Sequence, residues 1–166
     1  MFIFGHAGVS SLAAYLMKRR IHNIDYRYVA LGSMLSDIID KPLGLIILKD
    51  VLYNGRLIGH TLLFAFALTV ISFTKNSMKL KMLSLGIWLH LLFDAMFLYP
   101  KTLLWPVFGN FRALDYHPNF ILQLVSNPLA YVPEAVGMSF LLYVFFRHGH
   151  YRKYSLIKFL KTGKLE

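Results

Sequence analysis

The sequence contains no cysteine, which excludes disulfide bonds, thiolate metal ligands and a cysteine nucleophile. It is also poor in charge: Asp, Glu, Lys and Arg make up 16% of its residues, against roughly 25% in an average soluble domain. A Gly-rich phosphate loop, a nucleophile elbow and a His-Glu-x-x-His helix are missing too. Any metal ion must therefore be held by oxygen and nitrogen ligands, as hard or borderline ions prefer.

The sequence is rich in apolar side chains. Hydrophobic residues make up 57% of the 166 residues, aromatic residues 16%, and the mean hydropathy is +0.52. A soluble domain of this composition would have too little polar surface to cover its core. The composition therefore predicts an all-α membrane protein, a polytopic helical bundle with four to five transmembrane segments that forms a single domain over residues 1–166.

Two of the apolar segments are interrupted by proline. Pro42 predicts a kink or a restart in the second segment, and Pro133 predicts that the regular helix of the last segment starts near that residue. The tail from about residue 147 has the pattern of a basic amphipathic helix at the membrane surface. The five segments cover about 2–17, 28–48, 57–74, 82–99 and 121–146.

The basic residues divide unequally between the two sides of these segments. With five spans, thirteen Lys and Arg fall on one side and four on the other, which predicts an outer N-terminus and a cytoplasmic C-terminus in the plasma (inner) membrane. The net charge of +10 is not accompanied by a nucleic-acid-binding motif. We therefore expect membrane lipids, and not nucleic acid, as the partner.

Half of the eight acidic residues lie in the apolar segments, where Lys41 is the only Lys or Arg. An ionised side chain at membrane depth costs a few kcal/mol and usually faces a partner, a cavity or an ion. Acids and imidazoles without matching bases therefore suggest a metal cation. The four acids are Asp37, Asp40, Asp94 and Glu134.

Two pairs have the spacing of neighbours on one helix face. His90 and Asp94 are four residues apart, and Asp37 and Asp40 are three apart. Each pair has a simpler explanation: a His–Asp hydrogen bond that joins helices, or neutralisation of Asp40 by Lys41. Two close carboxylates repel each other unless a cation lies between them, and this favours metal binding.

The predicted topology brings further candidates to the outer half of the bundle. Glu134 and His6 are second choices as metal ligands. Glu134 has an alternative explanation, since Arg112 or a loop lysine could neutralise it. The nucleophile would be a metal-bound water, because no Ser or Thr forms a recognisable triad. We expect the remaining histidines, His22, His117, His148 and His150, to be solvated. The preferred ligands are Asp37, Asp40, His60, His90 and Asp94.

Several short motifs occur in an order that resembles the membrane-bound, metal-dependent hydrolases, a family that includes a LexA-regulated inner-membrane hydrolase. The family is distantly similar to zinc-dependent phospholipase C. The resemblance implies a phosphoester hydrolase at the membrane with a divalent cofactor, zinc or alternatively manganese. Ser36 departs from the family pattern, in which a proline precedes the first aspartate. The motifs are Gly5-His6, Gly32-Ser33-x-x-x-Asp37-x-x-Asp40-Lys41-Pro42, Gly59-His60-Thr61-Leu62, His90-x-x-x-Asp94 and Leu104-Trp105-Pro106.

Two other functions use the same residues. A non-catalytic membrane protein could bind or transport a cation through these acids, and a structural protein could use the polar cluster only to fix helix packing. A vacant coordination position facing a pocket would favour catalysis. A continuous polar path to the inner side would favour transport.

Overall fold

The computed structural model describes residues 2–113 and 127–165. All regular secondary structure in these two ranges is helical, which confirms the predicted all-α class. The main helices are α1 (Ser10–Leu16), α2 (Tyr26–Pro42), α3 (Leu62–Thr74), α4 (Met78–Phe93), α5 (Pro100–Leu103), α6 (Pro128–Arg147) and α7 (Lys153–Thr162).

Short helical turns extend or precede these helices. A π-helical turn at Gly5–Val9 leads into α1, and another at Leu43–Ile47 continues α2. The 3₁₀ turns are Met17–Arg19, Ile58–His60 and Met96–Leu98. The predicted helix at the first segment is therefore present, but its first turn is wider than an α-helix.

Three helices begin at a residue whose side chain accepts a backbone hydrogen bond. The Asp25 carboxylate accepts from the amide of Arg27, the Thr61 hydroxyl from the amide of Phe64, and the Ser77 hydroxyl from the amide of Leu80. These side chains satisfy amides that have no partner inside the helix. They therefore define where α2, α3 and α4 start.

The helix ends differ from the sequence prediction at three places. Pro42 does not break the second segment, because the chain continues beyond it as a π-helical turn. The last helix starts at Pro128 and contains Pro133, and a proline at the first helical position is already in helical geometry. The fourth segment ends at Phe93, since Ala95 has a φ of +51°. Residues 121–126 of the fifth segment lie outside the described residues.

The helices pack most closely where glycines face backbone. α2 packs chiefly against α4, and a Cβ on Gly32 or Gly86 would collide with the backbone of Leu83 or Val29. The turn that starts the chain packs against α6 through Gly8 and Gly137 in the same way. The first turn also contacts α2, so the first turn, α2 and α4 meet around one polar interior.

Contacts between the ends of segments define two ends of the bundle. At one end, the Arg27 guanidinium donates to the Leu160 carbonyl, and the Lys79 ammonium lies 5.8 Å from the Tyr28 ring centroid. At the other end, the Asn54 side chain donates to the Arg112 carbonyl at 2.8 Å. We call them the basic end, which gathers residues 18–28, 75–81 and 147–164, and the opposite end.

The outer surface is strongly apolar. On α3, Phe66 is 54% exposed and Val70 is 59% exposed, and on α6 Phe146 is 64% exposed. In the part of the chain that the structure describes, no helix combines the length and the apolar character needed to cross a bilayer. The predicted number of membrane spans therefore stays a prediction.

Candidate metal centre

Three buried imidazoles meet in the interior, and we call them the histidine cluster: His6, His60 and His90. They come from the first π-helical turn, the 3₁₀ turn before α3, and α4. Their exposed fractions are 2%, 0% and 0%. The Nε2 atoms of His60 and His90 are 3.1 Å apart, and the ring centroids of His6 and His90 are 4.3 Å apart.

Hydrogen bonds determine which ring nitrogen carries the proton in two of these histidines. His90 Nδ1 lies 2.6 Å from the Ser33 carbonyl oxygen, which only accepts, so Nδ1 is the donor. His60 Nδ1 donates in the same way to the Asp40 carboxylate at 2.7 Å. In the neutral rings both Nε2 atoms are then unprotonated, and their lone pairs face each other.

Asp40 lies behind His60, away from the other histidines. Its carboxylate is fully buried and accepts from three backbone amides, those of Leu57 at 2.6 Å, Gly59 at 2.9 Å and His60 at 3.2 Å. Both oxygens are therefore committed to the loop before α3 and to the His60 ring. The structure gives Asp40 the position of a group that orients a ligand, whereas the sequence predicted a direct ligand.

Asp37 faces the cluster from α2. Its Oδ1 lies 3.5 Å from His60 Nε2, and its Oδ2 lies 3.4 Å from His6 Nε2. Oδ2 also accepts from the Lys41 ammonium at 2.7 Å. His6, Asp37 and His90 each offer one atom to a set within 4.8 Å, a separation that one ion can bridge.

Asp94 joins the cluster from the end of α4 and completes a second set, with His60 and His90, within 4.8 Å. Its carboxylate accepts from the Arg56 guanidinium through Nε at 2.9 Å and Nη2 at 2.8 Å. The expectation that the buried acids lack matching bases is therefore wrong: Lys41 pairs with Asp37 and Arg56 with Asp94. Arg56 lies four residues before His60 in the sequence, outside the apolar segments, and no local pattern indicates its contact with Asp94.

The remaining candidates lie around the cluster. Glu134 on α6 accepts from the Phe2 amide at 2.6 Å, so it holds the chain just before the turn that carries His6. Glu134 belongs to neither of the two ligand sets. Ser36 donates to the Gly59 carbonyl at 2.7 Å and joins α2 to the loop before His60 without a kink.

Of the other histidines, His150 differs from the prediction, and His148 is only partly exposed. His22 is exposed as expected, and His117 lies outside the described residues. His150 is only 6% exposed, so the prediction that it is solvated was wrong; its ring packs 5.0 Å from the Phe159 ring after α7 folds back. This histidine is near the basic end and takes no part in the cluster.

The donor set suits a zinc-type cation. Three imidazoles and one carboxylate are nitrogen and oxygen ligands of the kind that catalytic zinc sites use. Within the described residues neither nitrogen of buried His6 has a hydrogen-bond partner, and a buried polar atom normally has one. The residues present therefore fit the metal that the sequence resemblance implies.

Comparison with known proteins gives one match. A model of the YdjM inner membrane protein family matches residues 1–155. No curated protein and no solved structure matches the chain. Because the matched region covers nearly all of the 166 residues, the chain belongs to the YdjM inner membrane protein family.

Proposed function

We propose that this protein is a metal-dependent hydrolase of phosphoester bonds in the membrane, and that the histidine cluster with Asp37 or Asp94 holds the ion. The supporting observation is the 3.1 Å separation of two Nε2 atoms whose other ring nitrogens are already donors. Two lone pairs repel at this distance when both rings are neutral, and either a proton on one Nε2 or a shared cation relieves the repulsion. Two nitrogens bound to one tetrahedral zinc at about 2.0–2.1 Å would lie roughly 3.3–3.4 Å apart, close to the observed spacing.

The two cations beside the cluster have a role in this proposal. Lys41 and Arg56 neutralise Asp37 and Asp94, respectively, in the ion-free protein. When the carboxylates bind a cation, the ammonium and guanidinium groups become available to phosphate oxygens. A bound dication would supply a water of lowered pKa and a positive charge beside the phosphoryl oxygens.

A cavity of about 460 Å³ beside the cluster supports a lipid-like substrate. His6, Asp37 and Lys41 form its polar side, and the rest of its lining is apolar. A phosphoester with a hydrocarbon chain matches this division, because its phosphate would meet Lys41 while the chain covers the apolar wall. The apolar lining comprises Phe2, Ile3, Met34, Ile38 and Pro42.

We also infer that the protein is a multi-pass protein of the inner membrane, with the N-terminus outside and the C-terminus in the cytoplasm. The thirteen basic residues that the sequence assigns to the cytoplasm lie in the three regions that form the basic end. The apolar surface of α3 and α6 supports contact with lipid. The candidate metal centre would then open towards the outer half of the bilayer.

A structural role is the second candidate, and the two ion pairs favour it. Lys41 and Arg56 balance Asp37 and Asp94 without any metal, so the polar cluster could simply hold α2, α4 and the loop before α3 together. A non-catalytic cation-binding or transport protein would use the same residues, but it would not hydrolyse a phosphoester.

The decisive experiment compares metal content with turnover. Purified protein in detergent should contain zinc or manganese by elemental analysis and hydrolyse a generic phosphodiester. His90→Ala and Asp94→Asn should lose bound metal and turnover together, while His22→Ala, an exposed histidine, should keep both. Folded wild-type protein that stays metal-free and inactive in added zinc or manganese would favour the structural role. Bound metal without turnover would favour cation binding.

A further inference from the structure

A second cavity lies at the basic end, outside the candidate metal centre. It is a cleft open to the surface, with a volume of about 660 Å³, between the end of the first helical segment and the turn that follows α6. Tyr15 and Lys18 line one side, and Tyr143, Arg147 and Arg152 line the other. None of the histidine-cluster residues contributes to it.

The charge in this cavity is unbalanced. Lys18, Arg147 and Arg152 line it, and its lining includes no carboxylate. Within the described residues none of the three makes an ion pair; instead the Lys18 ammonium lies 3.9 Å from the Tyr15 ring centroid, and the Arg152 guanidinium lies 5.5 Å from that of Tyr151. The cavity therefore carries a positive potential that an anion would neutralise.

The remaining donors suit a phosphate group. Guanidinium groups bind phosphate oxygens through paired N–H donors, and the hydroxyls of Tyr15 and Tyr143 add neutral donors beside them. Both tyrosines are among the aromatic residues that membrane proteins place at the level of the lipid headgroups. The site combines what a headgroup phosphate requires: positive charge, hydrogen-bond donors and an aromatic wall.

Helix α7 continues the same surface. It is basic and amphipathic, and its apolar side chains remain outside: Tyr154 is 83% exposed and Leu160 is 59% exposed. A helix of this kind lies in the interface plane and is attracted to anionic lipids. Its position beside the cavity therefore makes a lipid the expected source of the phosphate.

We propose that this cavity is a binding site for a phosphate anion, supplied by the headgroup of an anionic phospholipid at the cytoplasmic face. It is independent of the proposed hydrolysis, since the two sites share no residue. Bound lipid would join α1, α6 and α7 at the basic end.

Calorimetry of the full chain in a neutral detergent tests this site with three probes: short-chain phosphatidylglycerol, short-chain phosphatidylcholine and inorganic phosphate. We expect phosphatidylglycerol to bind at least about tenfold more tightly than phosphatidylcholine. The variant Lys18→Gln/Arg147→Gln/Arg152→Gln should weaken phosphatidylglycerol binding about tenfold or more, since each basic residue near an anionic surface contributes to attraction. Arg147→Gln alone should weaken it in the same direction if the triple variant does not fold.

The matched control is Lys75→Gln/Lys79→Gln/Lys81→Gln, which removes three charges from the same end but from outside the cavity. It should change the affinity less than about twofold, because the cavity is unaltered. Inorganic phosphate that binds as tightly as the lipid, and is lost in the same variant, would keep the site but assign it to free phosphate. Equal losses in the two triple variants, or equal binding of the two lipids, would overturn the proposal.

Discussion

Asp40 is the residue that organises the loop between α2 and α3. Its carboxylate collects the amides of Leu57, Gly59 and His60 and at the same time holds the His60 ring. A fully buried carboxylate with this many donors is stable in place, because both of its oxygens have partners. The orientation of His60 in the cluster therefore depends on a side chain that does not itself face the cluster.

Replacing Asp40 by Asn should lower both stability and metal affinity. An amide nitrogen cannot accept from the loop amides, so at least one buried donor loses its partner, at a cost of about 2–4 kcal/mol. Metal affinity should fall about 10–100-fold because His60 is no longer oriented. Thermal unfolding in detergent and zinc titration measure the two effects. Asp50→Asn, an exposed carboxylate, is the control and should change neither; similar effects in both variants would contradict the assigned role.

Replacing Arg56 by Gln tests whether Asp94 binds a metal. The substitution leaves the Asp94 carboxylate without the guanidinium, so the ion-free protein should melt at a lower temperature, by roughly 2–4 °C for each kcal/mol lost in a chain of this size. Zinc should reduce this deficit, because a dication would take over as the counter-charge of Asp94. Melting curves with and without zinc give the answer, with the exposed Arg112→Gln as control. A deficit that is the same with and without zinc would mean that Asp94 serves only the ion pair.

For single residues, the sequence predicts which side chains come together in the structure, but not the role of each side chain. Charge and topology placed Asp37, His60, His90 and Asp94 in one region, and the structure brings them together. The contacts of Asp40 and His90 with backbone amides and a carbonyl are non-local. Backbone groups are the same in every residue, so no pattern of side chains reveals them.

Among the elements, the crossing of α2 and α4 controls the spacing of the site. Ser33 on α2 holds the His90 ring of α4, and the close approach at Gly32 and Gly86 makes this contact possible. Larger side chains at these two positions would separate the helices. The interior geometry of the cluster thus depends on two residues that carry no functional group.

Gly86→Ala should therefore destabilise the protein and weaken metal binding together. Its Cβ would collide with the backbone of Val29, which cannot move away as a flexible side chain can, and we expect a loss of about 1–3 kcal/mol. Gly55→Ala is the matched control, because its Cβ would meet only the side chains of Lys41 and Leu45 at ordinary distances of 3.4 Å and beyond. Chemical denaturation and zinc titration of both variants test this; a Gly86 variant as stable as the control would show that the crossing can relax.

The positions of proline did not predict the helix boundaries correctly. Pro42 and Pro133 both predicted interruptions, yet the chain stays helical through each. A proline removes one amide donor, and a change to a wider turn after Pro42 accommodates that loss. The end of α4 at Phe93 was also not predictable, since Ala95 gives no sign of its left-handed backbone.

For the whole molecule, the division of charge between two ends predicts its orientation. The protein has no cysteine of its own, so a single introduced cysteine reports one position. Asn110→Cys at the opposite end should react with an impermeant thiol reagent in intact cells, whereas Lys75→Cys at the basic end should react only after the membrane is opened. Both side chains are exposed, so a difference in labelling between them reports the side of the membrane and not burial in the protein. The reverse labelling pattern would invert the proposed orientation.

Composition predicted the all-α fold class more reliably than it predicted the number of membrane-spanning segments. The all-α fold is confirmed, and membership of an inner-membrane family supports the membrane location. The basic residues predicted for one side gather at one end because the chain segments that carry them pack together. The helices differ in extent from their apolar segments: a 3₁₀ turn delays the start of α3 to Leu62, and α4 ends at Phe93, before its segment does.

The contacts of Asp40 also decide what metal scarcity would do to the protein. The loop that presents His60 is held by its own hydrogen bonds to this carboxylate, and none of those bonds requires an ion. A small zinc finger unfolds when its metal is removed, but here the scaffold should persist in the metal-free form. Under the proposed metal-dependent function, loss of the ion would stop activity while the fold persists, and activity would return when the ion does, with no new synthesis.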